Sequence, residues 1–201
     1  MKQPTLVQLL STFGACSEAI KWAEGLGDGH FADETAWLQC PRGDWMLWVA
    51  GRLGVARPTL VLAACACARE ALKHVRAGEE RPRLAIETAE SWARGGEGAA
   101  TIQDVREART AAYAAYAAAD AADAADAADA AAAAYAAAYA AYAYADAADA
   151  AYAYAADAAA YAEASAAAAA AYRSSRARSA ELVRSVIEWS MIHVEVAKLN
   201  T

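Results

Sequence analysis

Cys40 and His30 are the residue types in this chain that could together supply a nucleophile and its general base. A cysteine attacks an electrophilic centre when a neighbouring imidazole removes its proton. Nothing in the spacing of Cys40 and His30 joins them, so only a tertiary contact would pair them. We therefore predict no catalytic residues and a protein that is not an enzyme.

The glycine-rich run Gly25-Leu26-Gly27-Asp28-Gly29-His30 could in principle cradle a phosphate. A phosphate-binding loop follows a strand and continues into a Lys-Ser or Lys-Thr pair, and this run has neither feature. No flavin or nicotinamide fingerprint occurs elsewhere. We predict a turn here and no cofactor.

The four cysteines, Cys16, Cys40, Cys65 and Cys67, lack the C-x-x-C spacing of zinc sites. On a helix, Cys65 and Cys67 would point about 200° apart. We predict small buried thiols and no metal ligands. Without a secretory signal or an apolar run long enough to cross a bilayer, we expect a cytoplasmic protein with no membrane partner.

Carboxylates and phenols concentrate in residues 111–171, which hold 43 Ala, nine Tyr and seven Asp. Ala has the highest helix propensity, and residues 99–201 contain neither Gly nor Pro. This composition predicts helix. A single rod of that length would reach roughly 90 Å, so the segment must fold back on itself or extend from the body.

The aspartates change sides of this predicted helix near its middle. At about 100° per residue, the first four leave an Ala/Tyr face free, whereas the last three fall on that face. Because burying an unpaired carboxylate is costly, we predict a turn near Ala141–Ala145 and an antiparallel helical hairpin. The predicted partner-binding residues are Asp120, Asp123, Asp126, Asp129, Asp146, Asp149 and Asp157.

The charge of the chain is unevenly distributed. No Lys or Arg occurs between Arg109 and Arg173, so this window carries seven Asp and one Glu, whereas the whole chain has a net charge of −7. An acidic segment repels phosphates, so we predict no nucleic-acid partner and favour a basic protein surface. The alternative is that the aspartates only keep an Ala-rich helix soluble.

Ahead of this segment the pattern predicts a compact helical body. Asp44 is a good N-cap residue for a helix that carries Trp45 and Trp48 one turn apart, and these three form a structural motif with both rings in the core. Residues 59–75 are apolar on almost every side, which is typical of a central helix. In the next helix, Glu87 and Glu90 should face solvent.

The fold class that follows is an all-α, multi-helix bundle with a long Ala/Tyr/Asp-rich antiparallel helical hairpin. We place the helical body with its Trp-rich core at residues 1–98. Residues 99–201 form the hairpin and a C-terminal helix, Glu181 to Leu199, that docks back on the body through a broad apolar stripe.

Several blocks together resemble a family of bacterial immunity proteins associated with polymorphic toxin systems. They are Cys16-Ser17-Glu18-Ala19, Cys40-Pro41-Arg42-Gly43-Asp44-Trp45-Met46-Leu47-Trp48, Leu60-Val61-Leu62-Ala63-Ala64-Cys65 and Arg81-Pro82-Arg83-Leu84-Ala85-Ile86-Glu87. The likeness covers roughly residues 15–110 and 178–187. It implies an all-α, non-enzymatic, cytoplasmic protein that binds and neutralises a cognate toxin.

Two other functions are consistent with the same residues. One is a phage or mobile-element anti-defence protein that acts by acidic mimicry of nucleic acid. The other is a structural Ala-rich helical module that forms homo-oligomers through its Ala faces.

Overall fold

The computed structural model describes residues 5–27, 34–75, 77–120 and 169–199. Across these residues the fold is all-α, with nine α-helices, no strand and 79% helix. The helices are α1 (Leu6–Phe13), α2 (Ser17–Gly25), α3 (Glu34–Gln39), α4 (Gly43–Leu53), α5 (Arg57–Arg69), α6 (Arg81–Arg94), α7 (Ile102–Asp120), α8 (Ala169–Val186) and α9 (Trp189–Lys198). A 3-10 helix, Glu70–His74, follows α5.

Helix α5 is the centre of the bundle. It contacts α4, α6 and α8. Most of its residues are apolar or small, so its polar face is small. Ala63, Ala64, Cys65 and Cys67 are completely buried. The predicted central helix is thus present, but it begins at Arg57 and its last turn tightens into the 3-10 helix.

Several helices also pack against one another around this centre. Helix α1 packs on α2, α6 on α7, and α4 on both α8 and α9. One cluster of buried side chains includes Val105 and Ala112 of α7 together with Val183 and Ile192 of the C-terminal helices. Residues from both the N-terminal and the C-terminal parts of the described chain therefore contribute side chains to the core.

Local signals explain where several helices begin and end. Thr5 and Gln8 form a reciprocal capping box ahead of α1, and the left-handed backbone at Gly14 ends that helix. Ahead of α7, Asp104 accepts hydrogen bonds from the backbone and hydroxyl of Thr101, whose hydroxyl accepts one from the Asp104 N–H. Both caps are local, because each joins residues only three apart in the sequence.

The predicted single helix over Glu181–Leu199 is wrong. Helix α8 ends at Val186, Glu188 takes an extended conformation, and α9 begins at Trp189. In one straight helix Ile187 and Ile192 would point about 140° apart, whereas the break allows both to be completely buried. Val194, an apolar residue within the helix predicted to dock on the body, is 54% exposed.

The predicted turn near Ala141–Ala145 lies outside the described residues. The structure describes only the two ends of this Ala-rich segment. Helix α7, which leads into it, packs on α6, and α8, which follows it, packs on α4 and α5.

Candidate functional site

A cavity of about 360 Å³ lies where α1, α2, α3 and α4 meet. Four tryptophans line it, and we call it the tryptophan cleft. The rest of its wall is mainly apolar. The lining residues are Leu6, Leu10, Gly14, Ala15, Cys16, Ala19, Trp22, Ala36, Trp37, Cys40, Arg42, Asp44, Trp45, Met46, Trp48 and Val49.

The tryptophans reach the cleft from three helices. Trp45 and Trp48 lie one turn apart on α4, as predicted, but both are half-buried because they line this cavity. Trp22 of α2 lies against Trp45 with ring centroids 5.9 Å apart, and Phe13 meets Trp48 edge-on at 6.4 Å. Trp37 of α3 is 3% exposed.

Arg42 and Asp44 form the polar edge of the cleft. The Arg42 Nε and Nη2 atoms donate to the two carboxylate oxygens of Asp44 at 2.9 and 2.5 Å, and Nη1 donates to Glu18 at 2.8 Å. The guanidinium also lies over the Trp45 ring, 4.5 Å from its centroid. Such a bidentate pair fixes both side chains in orientation.

The prediction that Asp44 is the N-cap of α4 is wrong. Arg42 occupies the cap position, with φ −133° and ψ 116°, and Asp44 lies within the first turn. Asp44 is buried because its carboxylate is satisfied by Arg42 rather than by the backbone N–H groups of the helix. Its charge still lies near the positive end of the helix dipole.

Gly43 brings α4 against α8. A Cβ atom at this position would lie 2.7 Å from the Ser179 Cβ and 2.9 Å from the Ser179 carbonyl oxygen. No residue larger than glycine fits without moving one of the two helices. Each residue of Arg42-Gly43-Asp44-Trp45, the most distinctive part of the sequence, therefore has a structural role.

Cys40 is held as a neutral thiol. Burial raises its pKa to about 12, although a backbone hydrogen bond from Arg42 acts the other way. Arg184 of α8 donates to the Cys40 carbonyl oxygen at 3.0 Å and ties this turn to the C-terminal helices. A thiol that ionises only in strongly basic solution is a poor nucleophile at neutral pH. His30, its predicted partner in the nucleophile hypothesis, lies outside the described residues.

The other cysteines follow the predicted pattern with one exception. Cys65 and Cys67 are buried, and burial raises the pKa of Cys65. Cys16 is exposed, contrary to prediction, because it stands just ahead of α2 at the rim of the cleft. Among the described residues, no group of three or more His, Cys, Asp or Glu could hold a metal ion.

Glu90 is buried, and the prediction that it faces solvent is wrong. Arg69 of α5 donates to both of its carboxylate oxygens, at 2.7 and 2.8 Å, and Arg94 donates at 2.9 Å. Burial raises the pKa of Glu90, but the two arginines outweigh burial and hold this pKa below its ordinary value. Glu87, one turn earlier, is 41% exposed at its side chain and pairs with Arg83.

The predicted partner-binding aspartates are not brought into any described site. Asp120 is the last residue of α7 described, and its side chain lies outside the described set. The other six also lie outside the described residues: Asp123, Asp126, Asp129, Asp146, Asp149 and Asp157.

The tryptophan cleft is the feature that sequence reasoning missed. A usable signal was present, because Trp22, Trp37, Trp45 and Trp48 are four of the six tryptophans in the chain and lie close in sequence. Their spacing suggested a filled core and gave no indication of a cavity.

No helix within the described residues combines the length and apolar character that crossing a membrane requires. Comparison of the chain with protein-family models, with curated proteins and with solved structures finds no match.

Proposed function

We propose that this chain is a non-enzymatic binding protein, an immunity protein that acts in the cytoplasm and neutralises a cognate bacterial toxin through an acidic helical surface. The observation that carries the proposal is the charge of residues 110–172, which hold seven Asp, one Glu and no Lys or Arg. The resemblance at the Cys40–Trp48 block supports the same assignment.

The packing of the flanking helices is consistent with this role. Helices α7 and α8 adjoin the acidic segment, and buried residues of both, such as Val105 and Val183, belong to the core of the body. A binding segment joined to a packed core at both ends loses less conformational entropy on binding than a free tail would. Acidic charge on such a segment steers a basic partner toward it.

The test uses the full chain and the protein encoded by the gene next to its own, taken as the candidate toxin. Asp146, Asp149 and Asp157 are replaced together by Asn, and the matched control replaces the exposed Glu24, Glu34 and Glu97 by Gln. We expect the Asp variant to associate about tenfold more slowly at low salt, because steering by charge is lost. The Glu variant should associate at the wild-type rate.

Salt dependence and protection complete the test. Binding should weaken between 50 mM and 500 mM sodium chloride, and the Asp variant should protect cells less well during toxin co-expression. Binding that is indifferent to salt, or equal effects of the two variants, would count against the acidic surface. Absence of any binding to the toxin would refute the proposed function.

A further inference from the structure

The tryptophan cleft has the dimensions and composition of a small-molecule pocket. Its volume of about 360 Å³ lies within the range of about 300–1,000 Å³ typical of ligand sites. The cleft is open to solvent, so the large rings that line it meet water instead of the close-packed protein atoms of an interior, and they leave van der Waals contacts with heavier atoms unmade. An occupant that fits between these rings would recover those contacts.

The charges at the cleft favour an uncharged occupant. The guanidinium of Arg42 lies over Trp45 and that of Arg52 over Trp48, at 4.5 and 5.7 Å from the ring centroids. A cationic ligand would therefore meet rings that already face a positive charge. An anionic ligand would find the guanidinium of Arg42 already paired with the carboxylates of Asp44 and Glu18.

Trp37 adds a polar requirement. Its indole Nε1 is buried and has no hydrogen-bond acceptor among the described residues. A buried N–H without an acceptor is unfavourable, because it has lost its hydrogen bond to water. Trp37 lines the cleft, but this atom has almost no accessible surface, so the indole must shift toward the cleft before a ligand carbonyl oxygen can reach it and restore the missing bond.

We propose that the tryptophan cleft binds a small, uncharged, ring-bearing molecule that carries a hydrogen-bond acceptor such as a carbonyl group. The indoles of Trp22, Trp45 and Trp48 contact the ring system, and the Trp37 N–H donates to the acceptor. This site uses residues of α1 to α4 and does not depend on the proposed toxin-neutralising function.

The probe is prodan, an uncharged naphthalene that carries a ketone and a dimethylamino group. We expect saturable binding of one prodan per chain, detected by energy transfer from tryptophan and a blue shift of prodan emission. An analogue without the ketone should bind about fivefold to tenfold more weakly, the effect of one hydrogen bond. Naphthalene derivatives with a sulfonate or a trimethylammonium group should also bind more weakly.

Two variants locate the probe. Trp37→Phe keeps an aromatic ring but removes the N–H, so prodan affinity should fall to that of the ketone-free analogue, whose own affinity should not change. Ala19→Phe fills the cleft and should abolish binding of both compounds. Trp189→Phe, whose ring lies on α9 and not in the cleft, is the matched control and should bind both as the wild type does.

Circular dichroism and thermal melting of each variant verify that it is folded. If Ala19→Phe does not fold, the comparison between Trp37→Phe and Trp189→Phe still decides the outcome. Failure of prodan to saturate the wild-type protein would overturn the proposal. Equal loss of prodan affinity in the Trp37 and Trp189 variants, or tighter binding of a charged derivative, would overturn it as well.

Discussion

The burial and ionisation of Glu90 depend more on its hydrogen-bond partners than on its position along the helix. It lies on α6 at a spacing that suggested solvent exposure, yet only 8% of its side chain is exposed. A buried carboxylate remains ionised only if hydrogen bonds and opposite charges replace its water. Arg69 and Arg94 provide both, so Glu90 joins α6 to the central helix α5.

Replacing Glu90 by Gln should therefore destabilise the protein at pH 7. We expect a loss of about 2–3 kcal/mol, at the low end for a buried pair because Arg69 is itself partly exposed. Glu87→Gln, which breaks an exposed pair with Arg83, should cost less than about 0.5 kcal/mol. Urea unfolding of the three proteins measures these differences.

The effect of Glu90→Gln should also depend on pH. The pKa of Glu90 is lowered in the folded protein, so its contribution is fully present above the pKa of an unfolded glutamate, about 4.3. This contribution is lost as the pH falls through the lower, folded value. The difference in unfolding free energy between wild type and Glu90→Gln should thus shrink below about pH 4. A difference that stays constant down to pH 3 would contradict the ion-pair account.

The ends of the helices are set largely by caps and backbone conformations that involve only neighbouring residues. Capping at Thr5 and Thr101 and the left-handed glycines at Gly14 and Gly54 need only neighbouring residues. The break between α8 and α9 is different. It has neither Gly nor Pro, and it exists because the core takes in both Ile187 and Ile192.

The cap at the start of α7 can be tested by Thr101→Ala. This change removes the hydroxyl that accepts from the Asp104 N–H, so we expect a loss of about 1 kcal/mol in unfolding free energy. Thr110→Ala is the matched control, since Thr110 is exposed within the same helix and Ala has the higher helix propensity there. Thermal unfolding should show a lower midpoint only for Thr101→Ala. Equal midpoints for the two variants would contradict the role of the cap.

The whole molecule depends on contacts between the N-terminal body and the C-terminal helices. Gly43 lies against Ser179, Arg184 reaches the Cys40 carbonyl, and Arg178 pairs with Glu70. The first two contacts lie beside the tryptophan cleft, which has Cys40 and Arg42 in its wall. The C-terminal helices thus hold the α3–α4 turn that shapes the cleft.

Gly43→Ala tests this close approach. The added methyl group would lie within 3 Å of the Ser179 backbone, so α4 and α8 must separate, and we expect a loss of about 2–3 kcal/mol. Gly25→Ala is the control, because Gly25 is helical, has no positive φ and meets no atom within 4 Å. It should be neutral or stabilising by up to about 1 kcal/mol. Urea unfolding that gives both variants the same stability would show that α4 and α8 separate without cost.

The sequence by itself determined the all-α class and the central position of the helix predicted at residues 59–75. These features follow from propensity, hydrophobic periodicity and neighbouring side chains, which act over a few residues. It also indicated Asp44, Trp45 and Trp48 as a structural motif, although not the cleft that they line.

Only the tertiary structure decided the burial of Glu90, the contact of Gly43 with α8 and the cavity between the tryptophans. Arg69 and Glu90 are 21 residues apart, and Gly43 and Ser179 lie on helices far apart in the chain. The physical reason is that the groups in contact with these residues belong to other helices. No local sequence pattern encodes contacts of this kind.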